Sequence, residues 1–144
     1  MLLTYSKERF VFDIQSGRKI HTLRADQKKR WKVGMSIQHW FGNPRNVSKH
    51  PYKFLDGECM NIEEVIIERT RRDDIRVEIA GVQLSDASIK LLAKNDGLTF
   101  REFALWFVPP KAPRWEGRII HFTDYFYITE PPVREVMDNS QGFI

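Results

Sequence analysis

The chain has 144 residues, of which 42% are hydrophobic and 29% are charged, with a formal net charge of +4. This length supports one domain with its own core and excludes two ordinary domains. No apolar run approaches the roughly 18 residues of a bilayer-spanning helix, and the first residues lack a secretory-signal pattern. A single cysteine excludes an intrachain disulfide and a zinc site with several thiolates. We therefore expect a cytoplasmic protein with no membrane partner.

Positive charge is concentrated in the first third of the sequence. Residues 1–53 carry 12 Lys and Arg against 3 Asp and Glu, whereas the remainder carries 11 against 16. This bias favours anionic partners such as nucleotides and RNA, although a charged run also serves as a solvated face. Trp31 lies among four cations in the segment 28–32, a combination typical of surfaces that bind single-stranded nucleic acid. A core anchor is the alternative role for this tryptophan.

Periodicity and turn chemistry predict the elements of the first half of the chain. Phe10, Val11 and Ile14 are spaced by three and four residues, which predicts a helix that ends at Gly17. The segment 42–46 has the composition of a loop. The predicted elements here are a short strand at 2–5, a helix at 7–15 and a strand at 35–41 that comes after a turn at Gly34.

The second half is predicted to hold three strands and two helices. Alternation of Ile75, Val77 and Ile79 with charged residues predicts a strand with one wet face. Ser85 is placed to cap one helix, and Thr99 with Glu102 fits a capping box at the start of another. The predicted elements are strands at 58–69 and 75–80, helices at 86–94 and from about 99 to 107, and a final strand at 117–127 with a kink near Asp124.

This order of elements predicts the α+β class, with an antiparallel sheet or a small barrel. We expect a single domain over residues 1–130 and a C-terminal tail over 131–144, because the sequence turns polar from Thr129 onward. The histidines show no metal-ligand spacing. The sequence therefore predicts no metal site and indicates no cofactor.

The segment Gly17–Arg24 gathers an amine, an imidazole, a hydroxyl and a guanidinium directly after the predicted helix end. If this segment is extended, His21 faces away from Thr22, because neighbouring side chains in a strand alternate. Such a concentration of polar groups predicts a binding or catalytic site. Its plainer interpretation is structural, with Thr22 as a strand residue, Lys19 as a surface lysine and Arg24 as a partner for Asp26.

Residues 14–24, together with Trp31-Lys32-Val33-Gly34, resemble the Gly-x-Lys-x-x-Thr-x-Arg signature and the subsequent glycine turn of the ASCH domain, a member of the PUA-like superfamily. Two further segments are similar to the family. Residues 93–103 resemble its acidic residue and adjoining helix, and residues 117–127 resemble its closing strand. The resemblance covers roughly residues 8–128 and is most specific in the first motif.

The resemblance implies a PUA-like small β-barrel of mostly antiparallel strands, flanked by short helices, with a cleft for RNA or a nucleotide-like or nucleoside-like small molecule. The residues expected to line the cleft are Lys19, Thr22, Arg24 and Asp96, with Arg30 and Lys32 near its rim. One branch of the family contains amidohydrolases acting on N(4)-acetylcytidine, in which a Lys, a Thr and a later Glu form the site. Lys19 and Thr22 match the first two, and Asp96 stands in place of the Glu with one methylene fewer.

Three function classes are therefore open: a binding module, a small amidohydrolase, and a purely structural or interaction domain in a larger assembly. In the enzyme, Thr22 would be the nucleophile and Lys19 its base, with a pKa lowered by burial or by the nearby Arg24. Asp96 would orient water or carry a proton, and Arg24 would hold an anionic or carbonyl oxygen. Asp96 also has a structural interpretation, as a helix-end residue before Gly97.

Overall fold

The computed structural model describes residues 1–71 and 74–128. It contains eight strands, three short helices and one 3-10 turn at Val47–Lys49. In chain order the strands and helices are β1 (Leu2–Tyr5), α1 (Glu8–Gln15), β2 (His21–Arg24), β3 (Ser36–Phe41), β4 (Tyr52–Glu58), β5 (Asn61–Arg69), β6 (Ile75–Ile79), β7 (Val82–Gln83), α2 (Asp86–Asn95), α3 (Phe100–Phe107) and β8 (Arg114–His121).

Local sequence explains the ends of the helices. Gly17 has a φ of +82°, a left-handed conformation that glycine adopts without steric cost, and it lies just after the end of α1. The Ser85 side chain accepts a hydrogen bond from Ser88 N at the start of α2. Thr99 and Glu102 form a complete capping box on α3, so both predicted caps are confirmed.

The strands form two mostly antiparallel sheets. The smaller has the order β1-β3-β4, in which only the β1–β3 pair is parallel, and the larger has the order β2-β8-β5-β6-β7. The α+β class is therefore confirmed. No ladder closes either sheet into a barrel within the described residues, so the PUA-like barrel stays a prediction.

The core lies between the sheets and the helices. Along β5, Val65 and Ile67 are buried while Glu64 is exposed, and along β6 the predicted alternation of buried apolar and wetter charged residues is present. Phe103 of α3 and Leu92 of α2 are fully buried against this layer. Burial of apolar surface at about 25 cal/mol per Å² is the main stabilising contribution.

The structure differs from the predicted strands at the start of β5 and at both ends of β8, and it adds β4 and the two-residue β7, which no sequence pattern predicts. The predicted strand at 58–69 is wrong at its start, because Glu58 ends β4 and the chain crosses at Cys59 from one sheet to the other. Strand β4 was not predicted, because six of its seven residues are exposed and show no alternation. Strand β8 runs over 114–121 rather than 117–127, because its pairing with β5 begins opposite Glu68 and ends opposite Asn61.

None of the helices in the described ranges is long and apolar enough to cross a bilayer. The predicted boundary between a domain at 1–130 and a tail at 131–144 lies outside the described residues.

Candidate functional site

The ion pair of Lys19 and Asp96 joins two segments that are far apart in sequence. Lys19 Nζ donates to the Asp96 carboxylate oxygen Oδ1 at 3.0 Å and to the Asp96 backbone carbonyl at 2.6 Å. Both residues are 3% exposed. The segment before β2 is held against the end of α2 by a bond from Ile20 N to Asn95 O. Lys19 is therefore a buried, paired cation rather than a surface lysine.

Gly97 makes this close approach possible. A Cβ at residue 97 would lie 3.1 Å from the Phe10 ring and 3.3 Å from Lys19 Cδ, and the residue has a φ of +81°. A side chain would therefore be strained by its backbone and crowded by its neighbours. Lys19 Nζ also lies 4.5 Å from the centre of the Phe10 ring, a cation–π contact.

Thr22 and Arg24 lie two residues apart on β2. Arg24 Nε donates to Thr22 Oγ1 at 3.1 Å, and Arg24 Nη2 donates to the Thr4 carbonyl at 2.8 Å. The guanidinium carbon lies 5.4 Å from the centre of the Tyr5 ring. The alternative in which Arg24 pairs with Asp26 is wrong, because Asp26 pairs with Arg118 instead.

One cavity of about 230 Å³ collects Lys19, Thr22, Arg24 and Asp96. Its aromatic lining residues are Tyr5, Phe10, Trp106 and Phe107. Trp106 is 45% exposed, so it lies at the opening, whereas the four polar residues lie deeper. The structure thus brings together four of the six predicted ligand-binding residues.

The other two predicted residues, Arg30 and Lys32, are exposed and do not line this cavity. They belong to a surface turn held by Asp26, whose carboxylate accepts hydrogen bonds from Arg30 N and Trp31 N. Trp31 is 5% exposed and part of the core. It is a core anchor and offers no stacking surface.

Asp96 also belongs to a buried hydrogen-bond network. His21 Nδ1 lies 3.2 Å from the Oδ1 atom of Asp96, and His21 Nε2 lies 2.6 Å from the Tyr127 hydroxyl, to which Asn95 Nδ2 donates at 3.0 Å. Burial lowers the pKa of His21, so its ring is neutral. The consistent tautomer carries its proton on Nδ1, donating to the carboxylate, and accepts from Tyr127 at Nε2.

Glu63 fixes the segment that carries Tyr127. Its carboxylate accepts from the backbone N–H groups of Tyr127 and Ile128 at 2.9 and 3.0 Å, and it lies 2.8 Å from His121 Nε2. Burial raises the pKa of Glu63, but these hydrogen bonds outweigh it and hold the pKa below the usual value. Sequence reasoning missed Glu63, Asn95 and Tyr127, and no local motif marks them.

Burial also governs the protonation of the cavity residues. It lowers the pKa of the Lys19 amine, which the Asp96 carboxylate opposes, and it lowers the pKa of Arg24. It raises the pKa of Tyr5, whose hydroxyl hydrogen-bonds His39 Nδ1 at 2.8 Å. Tyr5 is therefore neutral near pH 7.

A larger groove of about 710 Å³ lies along β5 and β8, beside the segment that follows β2. Arg118, at its wall, pairs with Asp26 at 2.7 Å and with Glu64 at 3.0 Å, and Arg114 pairs with Glu116 at 2.8 Å. These charges neutralise one another, which makes the smaller cavity the better candidate site. No group of three or more His, Cys, Asp or Glu within residues 1–71 and 74–128 is arranged to hold a metal ion.

No protein-family model, no curated protein and no solved structure matches this chain. The resemblance to the ASCH domain therefore depends on the motif at 17–24 and on the two later segments alone.

Proposed function

We propose that this protein is a PUA-like ASCH domain whose cavity binds a pyrimidine base, presented by a nucleotide or by single-stranded RNA. The observation that carries the proposal is a free donor and a free acceptor in one small cavity. Within the described residues Arg24 Nη1 makes no hydrogen bond, and Asp96 accepts only through Oδ1 and its backbone carbonyl. A pyrimidine edge offers the complementary pair, an acceptor beside an N–H donor, which is O4 beside N3–H in uracil and N3 beside N4–H in cytosine.

The size and walls of the cavity support one ring rather than a larger ligand. Its 230 Å³ lies below the roughly 300–1,000 Å³ of sites for drug-sized molecules. The exposed Trp106 at the opening offers a stacking surface, as aromatic side chains do for unpaired bases. Lys7 Nζ lies 5.4 Å from the centre of a Trp106 ring, so a ligand phosphate at the opening would meet a cation.

Calorimetric titration with cytidine, uridine and adenosine tests the base preference. We expect both pyrimidine nucleosides to bind and adenosine to bind more weakly, because a purine is larger than a single ring. Trp106→Ala should weaken cytidine binding roughly 5- to 150-fold, the range found for loss of one stacked aromatic. Leu105→Ala is the matched control, since Leu105 is similarly exposed on α3 but does not line the cavity. Equal binding of all three nucleosides would contradict the proposal.

Salt dependence separates RNA from a free nucleotide. A labelled single-stranded oligonucleotide that uses phosphate contacts must bind more weakly as salt is raised, because bound cations of the nucleic acid are released. Fluorescence anisotropy at two salt concentrations measures this. If the oligonucleotide does not bind at low salt, or if its binding does not change with salt, RNA is not the ligand. The proposal that the cavity binds a free nucleotide would then remain.

The amidohydrolase is a second candidate, favoured by the desolvated Lys19 amine beside Asp96 and near Thr22 in the same cavity. Hydrolysis of N(4)-acetylcytidine breaks the amide C–N bond, adds water and yields cytidine and acetate. The Thr22 hydroxyl accepts from Arg24, and no hydrogen bond joins it to Lys19 or Asp96 in the described part of the chain. A threonine nucleophile requires its base within about 3 Å, so a shift on binding is needed.

Chromatography of N(4)-acetylcytidine incubated with the protein tests this second candidate. The enzyme should produce cytidine, and Thr22→Ala should lose most of the turnover. Absence of cytidine with the unaltered protein, or equal turnover by Thr22→Ala, would contradict hydrolysis through Thr22.

A further inference from the structure

The charges that line the cavity do not balance. Among the described lining residues, Lys19 and Arg24 are cations and Asp96 is the single carboxylate. The neighbouring histidines contribute no charge near neutral pH, because burial lowers the pKa of His21 and lowers that of His39 to about 4. Asp13 does not line the cavity and forms no ion pair with Lys19 or Arg24 within the described residues. One positive charge is therefore left without a counter-charge.

That charge belongs to Arg24. The Asp96 carboxylate is in direct contact with Lys19, whereas Arg24 contacts a hydroxyl, a carbonyl and the Tyr5 ring. No carboxylate within residues 1–71 and 74–128 forms an ion pair with it. Arginine removed from water is normally paired, because desolvating an unmatched charge is costly. The charge of Arg24 is therefore available to pair with an anionic group of a ligand.

Its hydrogen-bonding groups point to the same conclusion. Nε and Nη2 are each used once, by Thr22 and Thr4, while Nη1 has no hydrogen bond within the described residues. Nη1 is not among the fully buried unpaired atoms, so it keeps accessible surface, and the Arg24 residue lines the cavity. A planar guanidinium with free donors binds a carboxylate better than any neutral group.

We infer that the ligand of this cavity carries a planar oxyanion, a carboxylate, that pairs with Arg24. This inference rests on the proposed function for the pyrimidine ring. It differs for Arg24, whose free donor binds a carboxylate carried by the ligand rather than an acceptor of the base edge, and the charge of Arg24 is unpaired whatever ring the ligand carries. The carboxylate has two possible sources, a carboxylated pyrimidine or a free small carboxylate. In the first, the ring N–H donates to Asp96 while the carboxylate accepts from Arg24.

Calorimetric titration with orotate, uracil and acetate tests the inference on the unaltered protein. Orotate and uracil share a ring and differ in one carboxylate. We expect orotate to bind about 10- to 100-fold more tightly than uracil, the factor that a charge-assisted hydrogen bond supplies. Equal affinities for orotate and uracil would overturn the inference while leaving pyrimidine binding intact.

Arg24→Gln assigns the preference to this side chain. It should abolish the difference between orotate and uracil, because both ligands then meet the same neutral amide. Arg114→Gln, at an exposed ion pair of the other groove, is the matched control and should retain the preference. A preference that survives Arg24→Gln would overturn the assignment. Should Arg24→Gln fail to fold, Arg24→Lys keeps the charge, loses the planar fork and should reduce the preference without removing it.

Acetate distinguishes failure of this inference from failure of the proposed function. Acetate binding that depends on Arg24, with neither pyrimidine bound, would support the oxyanion and overturn the pyrimidine site. Absence of binding by all three probes would overturn both.

Discussion

Arg24 and Arg118 lie directly opposite each other in the β2–β8 ladder, yet their surroundings differ. The Arg118 side chain is 13% exposed and pairs with two carboxylates, Asp26 and Glu64, and it also donates to the Trp31 carbonyl. Arg24 has hydrogen bonds but no carboxylate within the described residues. The charge of Arg118 is therefore paired within the fold, whereas the charge of Arg24 is available to a ligand.

The largest expected effect is the loss of stability when Arg118, the arginine paired with carboxylates, is replaced. Arg118→Met should lower the free energy of unfolding by about 3–5 kcal/mol, because it leaves the buried Asp26 carboxylate without its counter-charge. Urea denaturation measures this. Arg114→Met is the matched control, because Arg114 and its partner Glu116 are exposed and its other partner Glu68 is 30% exposed, so its loss should cost under about 1 kcal/mol. Equal losses of unfolding free energy in the two variants would show that the ion pair of Arg118 with Asp26 stabilises the fold no more than an exposed one.

Tyr127→Phe should have a smaller effect, a loss of about 1–3 kcal/mol in the free energy of unfolding. Removing the hydroxyl leaves the buried His21 Nε2 and Asn95 Nδ2 without their shared partner. Tyr125→Phe is the control, since the Tyr125 hydroxyl makes no hydrogen bond within the described residues, and it should change stability by less than about 0.5 kcal/mol. Thermal or urea unfolding of both variants compares them. A Tyr127→Phe protein as stable as the control would exclude a supporting role for the network.

Arg24→Gln should change the free energy of unfolding by less than about 1 kcal/mol. The variant loses hydrogen bonds to Thr22 and Thr4 but also removes the desolvation cost of an unpaired charge, and the two contributions oppose each other. The same urea experiment measures it. A loss as large as that of Arg118→Met would break the comparison, because it would make Arg24 a structural residue.

The smallest effect is a titration shift at His39. Its pKa is about 4, lowered from 6.5 by burial first and by the Arg24 charge second. The unfolded chain takes up this proton near pH 6.5, so the stability that depends on neutral His39 is complete above 6.5 and is lost as pH falls towards 4. Arg24→Gln should raise the pKa of His39, and Arg114→Met should leave it unchanged. Titration of the His39 ring protons by NMR decides whether the Arg24 charge reaches it.

The sequence predicts the parts of this molecule that depend on local signals. Glycine at residue 17 and the caps at Ser85 and Thr99 mark the helix ends, and the period-two pattern marks β6. Strand β4 carries no such pattern because it is wet on both faces. Its position is set by pairing with β3, which no short stretch of sequence encodes.

In the candidate site, too, some residues can be predicted from the sequence and others cannot. The motif at 17–24 predicts three cavity residues, and Asp96 is placed through the resemblance rather than through any local rule. Asp26 pairs with Arg118, which is 92 residues away, and not with its near neighbour Arg24. The β2–β8 ladder decides which side chains meet, and the local sequence does not encode it. Tyr127 and His21 are 106 residues apart, so only the folded chain reveals their contact.

The hydrogen bond between Tyr127 and His21 also makes the neighbouring residue useful as a reporter. Phe126 is 43% exposed, whereas Cys59, the chain's one cysteine, is fully buried. A thiol-reactive dye on a Phe126→Cys variant would therefore label one position. The dye would sit one residue from Tyr127, whose hydroxyl contacts His21, the neighbour of Asp96. A change in its emission when a ligand is added would therefore report a change in this hydrogen-bond network.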